Sequence, residues 1–266
     1  MTAEEIQNTA CFLFDLDGTV YLGDKLLPGA EDLLSYLDQV GRPYFFLTNN
    51  SSRSRADYLT KLAKYGLDIS LEKIFSSGMA TAIFLKKQKP GARIYLVGTP
   101  SLKEEFRRYG FQLVNDDPDY AVFGFDITLT YQKIWKFCDF VNDGIPYIAT
   151  HPDINCPTPD GFMPDIGAMM AMIQSSTGKV ADIVVGKPNP PMVEAIVELT
   201  GFEPGQLTMV GDRLYTDIAM GKAGIHTVLV LSGETKRGDL SKAPWQPDLV
   251  CENLSELLEI LQGRNE

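Results

Sequence analysis

Two acidic residues at the end of an apolar segment are the first candidates for chemistry in this chain. Asp15 and Asp17 follow the apolar residues Cys11–Phe14, and Gly18 and Thr19 behind them form a turn signal. Side chains two positions apart in an extended chain point to the same side, so the two carboxylates should converge. Open α/β sheets bind their ligands beyond the carboxyl ends of the strands, which is where this pair falls. A solvated turn that merely ends the strand is the alternative interpretation.

Further polar residues occupy the same place after three later apolar segments. They are Thr48, Asn49 and Asn50 after residues 44–47, Lys187 after residues 182–185, and Asp212 and Asp217 after residues 207–210. Taken singly, each has a structural interpretation as a helix cap, a surface lysine or a turn. Taken together, they meet at one edge of the predicted sheet, where desolvated carboxylates without partners would each be costly.

A divalent cation would remove this cost, and ligation by oxygen atoms alone favours Mg²⁺ over zinc. Lys187 and the donors of Thr48 and Asn49 would then lie opposite the carboxylates, an arrangement that suits a phosphoryl group. The pattern therefore predicts phosphate chemistry that uses magnesium.

Apolar segments and amphipathic helices alternate in a way that predicts the elements holding these residues. Strand, helix, strand and helix follow one another over residues 11–66, which is typical of a parallel sheet with right-handed crossovers. The alternation restarts after residue 81, and the first pattern resumes at residue 182. We therefore predict an α/β fold with a Rossmann-like, doubly wound parallel core of residues 1–80 and 180–266. A smaller α/β cap domain, residues 81–179, would be inserted into that core.

Composition and charge limit the kinds of partner and location that are expected for this protein. The chain has 266 residues and a formal net charge of -11, which argues against nucleic acid or an anionic membrane as the main partner. A small anionic substrate is compatible with this charge, since one bound cation can invert the local field. The four cysteines are scattered without a Cys-x-x-Cys pair, and no apolar run approaches the roughly 18 residues of a membrane span. These features and the acidic start predict a cytoplasmic protein, in which the cap could contribute a homo-oligomer interface.

The motifs, in this order, resemble those of the haloacid dehalogenase superfamily. They are Asp15-Leu16-Asp17-Gly18-Thr19, Thr48, Lys187-Pro188 and Gly211-Asp212-Arg213-Leu214-Tyr215-Thr216-Asp217. The inserted segment is similar to the NagD-like, p-nitrophenyl phosphatase-type branch through Gly124-Phe125-Asp126 and Ala149-Thr150-His151-Pro152-Asp153. The resemblance spans nearly the whole chain.

This resemblance implies a role for each acidic residue of the core. Asp15 would attack phosphorus in line and form an aspartyl-phosphate. Asp17 would protonate the leaving oxygen and then activate water. Mg²⁺ would be held by the carboxylates of Asp15 and Asp212 and by the backbone carbonyl of Asp17. Asp217 would support these metal ligands from behind.

The resemblance also implies a substrate class. Thr48, Asn49, Asn50 and Lys187 would balance the charge of the transferring group, and the acid at Asp17 favours phosphate esters over dehalogenation. The expected function is a Mg²⁺-dependent phosphatase of small phosphorylated metabolites, above all sugar phosphates or nucleotides, with p-nitrophenyl phosphate as generic substrate. Two alternatives stay open. One is a phosphotransferase or mutase that uses the same aspartyl-phosphate, and the other is a phosphometabolite-binding protein without turnover.

The inserted domain would act as a cap over the site. His151 is the predicted contact with the leaving group, with Asp153 and Asp165 behind it, and a loop histidine without a ligand is the alternative. Closure over a small molecule would pivot near residues 80 and 180.

Overall fold

The computed structural model of the protein describes residues 6–158 and 161–264. Its strands are β1 (Cys11–Phe14), β2 (Tyr21–Leu22), β3 (Lys25–Leu26), β4 (Tyr44–Thr48), β5 (Ile74–Ser76), β6 (Arg93–Val97), β7 (Gln112–Leu113), β8 (Tyr120–Phe123), β9 (Tyr147–Ala149), β10 (Asn155–Thr158), β11 (Gly161–Pro164), β12 (Ile183–Val184), β13 (Leu207–Gly211), β14 (His226–Val230) and β15 (Leu249–Cys251). Its α-helices are α1 (Ala30–Gln39), α2 (Arg55–Lys64), α3 (Ser77–Gln88), α4 (Pro100–Arg108), α5 (Tyr131–Asn142), α6 (Ile166–Thr177), α7 (Pro190–Thr200) and α8 (Leu254–Leu261). Within the described ranges, none of the helices has the length and apolar character that crossing a membrane requires.

Six parallel strands form the sheet that carries most of the candidate residues. Their order is β15-β14-β13-β1-β4-β5, so β1 lies between β13 and β4. The chain first adds β4 and β5 on one side of β1 and later adds β13, β14 and β15 on the other side. Ligands of doubly wound sheets bind at such a switch point, beyond the carboxyl ends of the strands. Every residue of β1 is buried, which confirms the prediction of an enclosed central strand.

A second parallel sheet is built from the residues between β5 and α7. Its order is β12-β9-β8-β6-β7, and the chain enters it through α3 and leaves it after β12. We call residues 93–184 the insert, and we call the six-stranded sheet with its helices the base. The predicted α/β class with a doubly wound parallel sheet is confirmed. The domain limits at residues 80 and 180 stay predictions.

Helix α3 joins the base and the insert through a shared apolar core. Its first two turns are enclosed, and one continuous cluster runs from Leu13 of the base through Met79 of α3 to Leu96 of the insert. A helix whose surface is apolar on most sides is normally buried on most sides by the rest of the protein. The insert is therefore packed against the base near this connection.

Several short strands lie outside what the sequence pattern predicted. They are the β2–β3 hairpin, the β10–β11 hairpin and the edge strands β5, β7 and β15. The hairpin strands are two to four residues long, and Pro157 and Pro164 stand within β10 and β11. Such segments show neither a clear alternation nor an apolar run, so the usual strand signals do not mark them.

Candidate active site

A small cavity lies between the carboxyl edge of the base sheet and the insert. It is lined by Asp15, Asp17, Thr48, Asn49, Asn50, Asp153, Cys156, Pro157, Asp165, Lys187, Arg213 and Thr216. Its volume is about 20 Å³, which is space for about one water molecule. The cavity thus brings together the two acids after β1, the residues after β4, and Lys187.

The two acids after β1 line one cavity, as expected, and the turn between them sets their surroundings. β1 ends at Phe14, and the backbone N–H of Asp15 still donates to the carbonyl of Val210 at 2.9 Å. Gly18 then adopts a φ of 94°, and a Cβ atom there would collide with the carboxylate of Asp212. A glycine is needed here for both reasons. As a result, Asp15 and Asp17 line one cavity but have different hydrogen-bond partners.

Lys187 is the central cation of the site. Its ammonium group is enclosed and donates to Asp15 Oδ1 at 2.7 Å, to Asp217 Oδ1 at 2.7 Å and to the carbonyl of Leu47 at 2.9 Å. Burial alone would lower the pKa of Lys187, but the carboxylates of Asp15 and Asp217 outweigh this effect and raise it. Lys187 is therefore a fixed positive charge that bonds to residues at or beyond the ends of β1, β4 and β13.

Three buried carboxylates form a cluster that fits a divalent cation. One oxygen each of Asp15, Asp212 and Asp217 lies within 4.8 Å of the others. Burial and the negative charges of Asp15 and Asp217 raise the pKa of Asp212 well above its usual range. Burial, opposed by Lys187, raises the pKa of Asp217 to about 6. Both pKa values are raised because these buried negative charges are not fully compensated. A hard cation that prefers oxygen ligands would compensate them.

The hydrogen bonds distinguish Asp212 from Asp217. Asp212 Oδ2 accepts from the backbone N–H of Glu234 at 2.7 Å, whereas Asp212 Oδ1 is buried and has no partner among the described residues. In Asp217, one oxygen accepts from Lys187 and the other from the backbone N–H of Arg213 at 3.1 Å. An oxygen without a partner suits a metal ligand, and a fully bonded carboxylate suits a supporting position.

The residues after β4 form a loop that joins this site to the Lys187 segment. The side-chain oxygen of Asn49 accepts from the backbone N–H of Lys187 at 2.8 Å, and its amide nitrogen donates to the carbonyl of Lys187 at 3.1 Å. The Thr48 hydroxyl accepts from the backbone N–H of Asn50 at 3.1 Å. The next helix, α2, begins only at Arg55 behind a Ser54 cap, so these residues lie in the loop before it.

Contacts across the cavity hold the insert on the base. Asp153 of the insert accepts from the side-chain amide of Asn49 at 2.8 Å and from Arg213 Nη1 at 2.7 Å. Arg213 Nε also lies 3.1 Å from Glu234 Oε2. A buried pair of this kind depends on both partners, since either charge alone would be left without compensation.

His151 does not lie where it was expected. Its side chain is completely buried and does not line the cavity. Nε2 lies 2.9 Å from Asp165 Oδ1, and Nδ1 lies 3.0 Å from the Thr150 hydroxyl, so both ring nitrogens have neighbours within the insert. The order predicted for this segment is reversed, because Asp153 and Asp165 line the cavity and His151 lies behind them.

Known proteins share both the sequence and the architecture of this chain. A family model described as haloacid dehalogenase-like hydrolase matches residues 12–112, and one described as HAD-hydrolase-like matches residues 184–257. An acid sugar phosphatase of Staphylococcus saprophyticus is 32% identical over 259 residues, covering 97% of this chain and 100% of that protein. A 4-nitrophenylphosphatase structure from Thermotoga maritima has a TM-score of 0.93 at 44% identity, covering 98% of this chain and 99% of that chain. A glycerol phosphate phosphatase from Mycobacterium tuberculosis, in complex with magnesium, has a TM-score of 0.87 at 32% identity, covering 95% and 77%.

The chain belongs to the haloacid dehalogenase superfamily. It falls in the NagD-like, p-nitrophenyl phosphatase-type branch, and it is a phosphoric monoester hydrolase. The resemblance stated from the motifs is therefore confirmed at the level of the family.

Four residues that line this haloacid dehalogenase-type site had no predicted role, namely Cys156, Pro157, Arg213 and Thr216. Arg213 and Thr216 stand inside the motif that contains Asp212, so their position next to a candidate metal ligand was the available signal. Cys156 comes from β10, a strand that the sequence did not mark. Burial raises the pKa of the Cys156 thiol to about 12, so Cys156 lines the cavity as an uncharged side chain.

Proposed function

We propose that this protein is a Mg²⁺-dependent phosphatase of small phosphomonoesters that acts through an aspartyl-phosphate on Asp15. The observation that carries the proposal is the Lys187 contact with both Asp15 and Asp217, beside an oxygen of Asp212 that has no partner among the described residues. A fixed cation next to a nucleophilic carboxyl group and a cluster of metal-binding oxygens is what phosphoryl transfer requires.

Asp15 is the proposed nucleophile. Its Oδ1 is held by Lys187, which orients the carboxylate in the cavity. Attack by this oxygen on phosphorus forms the aspartyl-phosphate and breaks the bond to the leaving oxygen. Asp17, which lines the same cavity, would donate the proton to that oxygen and later accept one from the attacking water.

Mg²⁺ is the proposed cofactor, held by the carboxylates of Asp15 and Asp212 and by the backbone carbonyl of Asp17. The bound ion would neutralise charge on the phosphoryl oxygens. Asp217 would support this set through its bonds to Lys187 and to the Arg213 backbone. The magnesium complex of the glycerol phosphate phosphatase supports the choice of metal.

Thr48 is the proposed direct donor to the phosphoryl group, and Lys187, whose three N–H groups are already engaged, is the proposed balancing charge. The Thr48 hydroxyl accepts one hydrogen bond and keeps its own proton available. The Asn49 side chain is bonded to Lys187 and Asp153, so we propose that Asn49 holds these groups in position. Asn50 lines the cavity beside them and would complete the anion site.

The proposed substrates are phosphorylated sugars or similar small polyols, with p-nitrophenyl phosphate as a generic substrate. The names of the relatives, an acid sugar phosphatase and a glycerol phosphate phosphatase, support this class. A cavity of about 20 Å³ does not accommodate such a molecule, so substrate would enter with the insert displaced and the Asp153–Arg213 pair open. A cytoplasmic location and a homo-oligomer stay predictions.

The direct test of this function is release of inorganic phosphate from p-nitrophenyl phosphate and a panel of sugar, polyol and nucleoside phosphates. We expect turnover with Mg²⁺, loss of turnover after treatment with a chelator, and its return when Mg²⁺ is restored. Turnover that persists in the chelated protein would contradict the metal assignment. Absence of turnover across the whole panel, with Mg²⁺ bound, would favour the non-catalytic alternative.

Magnesium should also stabilise the fold. Binding at 100 times the Kd contributes about 2.7 kcal/mol, which corresponds to a rise in Tm of roughly 5–10 °C for a domain of this size. Differential scanning fluorimetry with and without Mg²⁺ measures this rise. We expect the rise to disappear in Asp212→Asn and to remain in Asp68→Asn, a change at an exposed acid away from the site.

A further inference from the structure

Asp17 is held by two side chains that no motif includes. The Tyr21 hydroxyl donates to Asp17 Oδ2 at 3.1 Å, and Lys61 Nζ lies 3.7 Å from Asp17 Oδ1. Each carboxylate oxygen therefore has its own neighbour. Tyr21 belongs to the β2–β3 hairpin and Lys61 to α2, so the contacts come from two different elements.

Tyr21 and Lys61 also hold each other in place. Lys61 Nζ lies over the Tyr21 ring at 3.7 Å from its centroid, a cation–π contact. The Tyr21 ring is completely buried and packs against Tyr65 with ring centroids 5.5 Å apart. The Tyr65 hydroxyl donates to the carbonyl of Gly23 at 2.8 Å, which ties the hairpin to α2. The two neighbours of Asp17 are thus parts of one packed group.

We propose that Tyr21 and Lys61 are positioning residues that orient the Asp17 carboxyl toward the leaving oxygen. This inference rests on the role of Asp17 in the proposed function. Asp17 lies in a turn beyond β1, and among the described residues its carboxylate accepts a hydrogen bond from the Tyr21 hydroxyl. Proton donation needs a heavy-atom distance of about 3 Å to the leaving oxygen, and small displacements of a catalytic group are costly in rate.

The leaving group provides the test. Breaking the P–O bond of a sugar or polyol phosphate releases an alkoxide that must take a proton from Asp17, whereas p-nitrophenolate leaves without one. We therefore expect Lys61→Met and Tyr21→Phe to lower kcat/KM about tenfold for glycerol phosphate, against a loss of at most about threefold for p-nitrophenyl phosphate. The ratio kcat/KM covers the steps up to departure of the leaving group, so later hydrolysis does not mask the effect. Lys61→Arg should restore most of the glycerol phosphate activity.

Two reference variants make the outcome decisive. Lys64→Met changes an exposed lysine one turn along α2 and should leave both substrates unaffected. Asp17→Asn should show the same leaving-group dependence to a larger degree. Equal losses on both substrates in Lys61→Met and Tyr21→Phe, or no loss, would overturn the positioning role while leaving Asp17 in place. If Asp17→Asn itself shows no such dependence, the assignment of Asp17 fails and this inference fails with it.

Discussion

Asp15→Asn is expected to lower phosphate release by at least about 1,000-fold, the range in which loss of a catalytic nucleophile falls. The amide is a poor nucleophile, so the aspartyl-phosphate does not form. The fold should persist, because the side-chain oxygen of asparagine can still accept from Lys187, which now donates to Asp15 Oδ1 at 2.7 Å. Steady-state kinetics with p-nitrophenyl phosphate and circular dichroism measure the two effects.

The matched control is Asp68→Asn, the same chemical change at an exposed position, which should retain full activity. A second measurement addresses the intermediate itself. Rapid acid quench of the wild-type enzyme during turnover, followed by peptide mass spectrometry, should locate a phosphoryl group on the peptide that contains Asp15. An Asp15→Asn enzyme with more than a tenth of the wild-type rate would rule out Asp15 as the nucleophile.

Lys187→Met is expected to have the largest effect on stability. The substitution removes the partner of two buried carboxylates, Asp15 and Asp217, and the side chain of Lys187 is only 2% exposed. Leaving buried charge without its partner typically costs about 3–5 kcal/mol. Urea denaturation of the metal-free protein measures this loss, and phosphatase activity should fall with it because the phosphoryl group loses a balancing charge.

The double variant Lys187→Met, Asp217→Asn shows whether charge is the cause. Removing one of the two carboxylates should recover part of the lost stability, which hydrophobic repacking alone does not explain. This measurement also remains informative if the single variant fails to fold. Lys86→Met, at an exposed site on α3, should change the free energy of unfolding by no more than about 0.5 kcal/mol. A single variant as stable as wild type would refute the role given to Lys187.

Much of the base could be predicted from the sequence because its strands are continuous apolar runs that end in polar residues. Asp15 and Asp212 directly follow such runs, and Thr48 ends another. In a parallel sheet all carboxyl ends lie on one edge, so chain position alone predicts that these three residues meet. Lys187 was expected on the same sheet, but the strand before it, β12, pairs with β9 of the insert, so this rule does not account for its place beside Asp15. The resemblance of the motifs then indicates the chemistry.

The insert side of the site was much less predictable. Asp153, Cys156 and Asp165 come from loops and a short hairpin, whose geometry depends on packing between the two units. His151 was favoured because histidine is a versatile catalytic residue. Its burial follows from a local partnership with Asp165 that spacing in the sequence does not reveal. The same limit applies to Lys61. The helical pattern of the sequence predicts a surface residue there, and Lys61 lies beside Asp17 only because of how α2 packs.

Two spaces of different size meet beside Pro157, and they bear on which molecule accepts the phosphoryl group from Asp15. The cavity lined by Asp15 and Asp17 has a volume of about 20 Å³, which is space for about one water molecule. The neighbouring pocket, lined by Asp212 and Tyr215, has a volume of about 300 Å³ and is large enough for a small alcohol. Since hydrolysis and transfer share the catalytic residues, the balance between them would depend on whether an alcohol occupies the larger pocket.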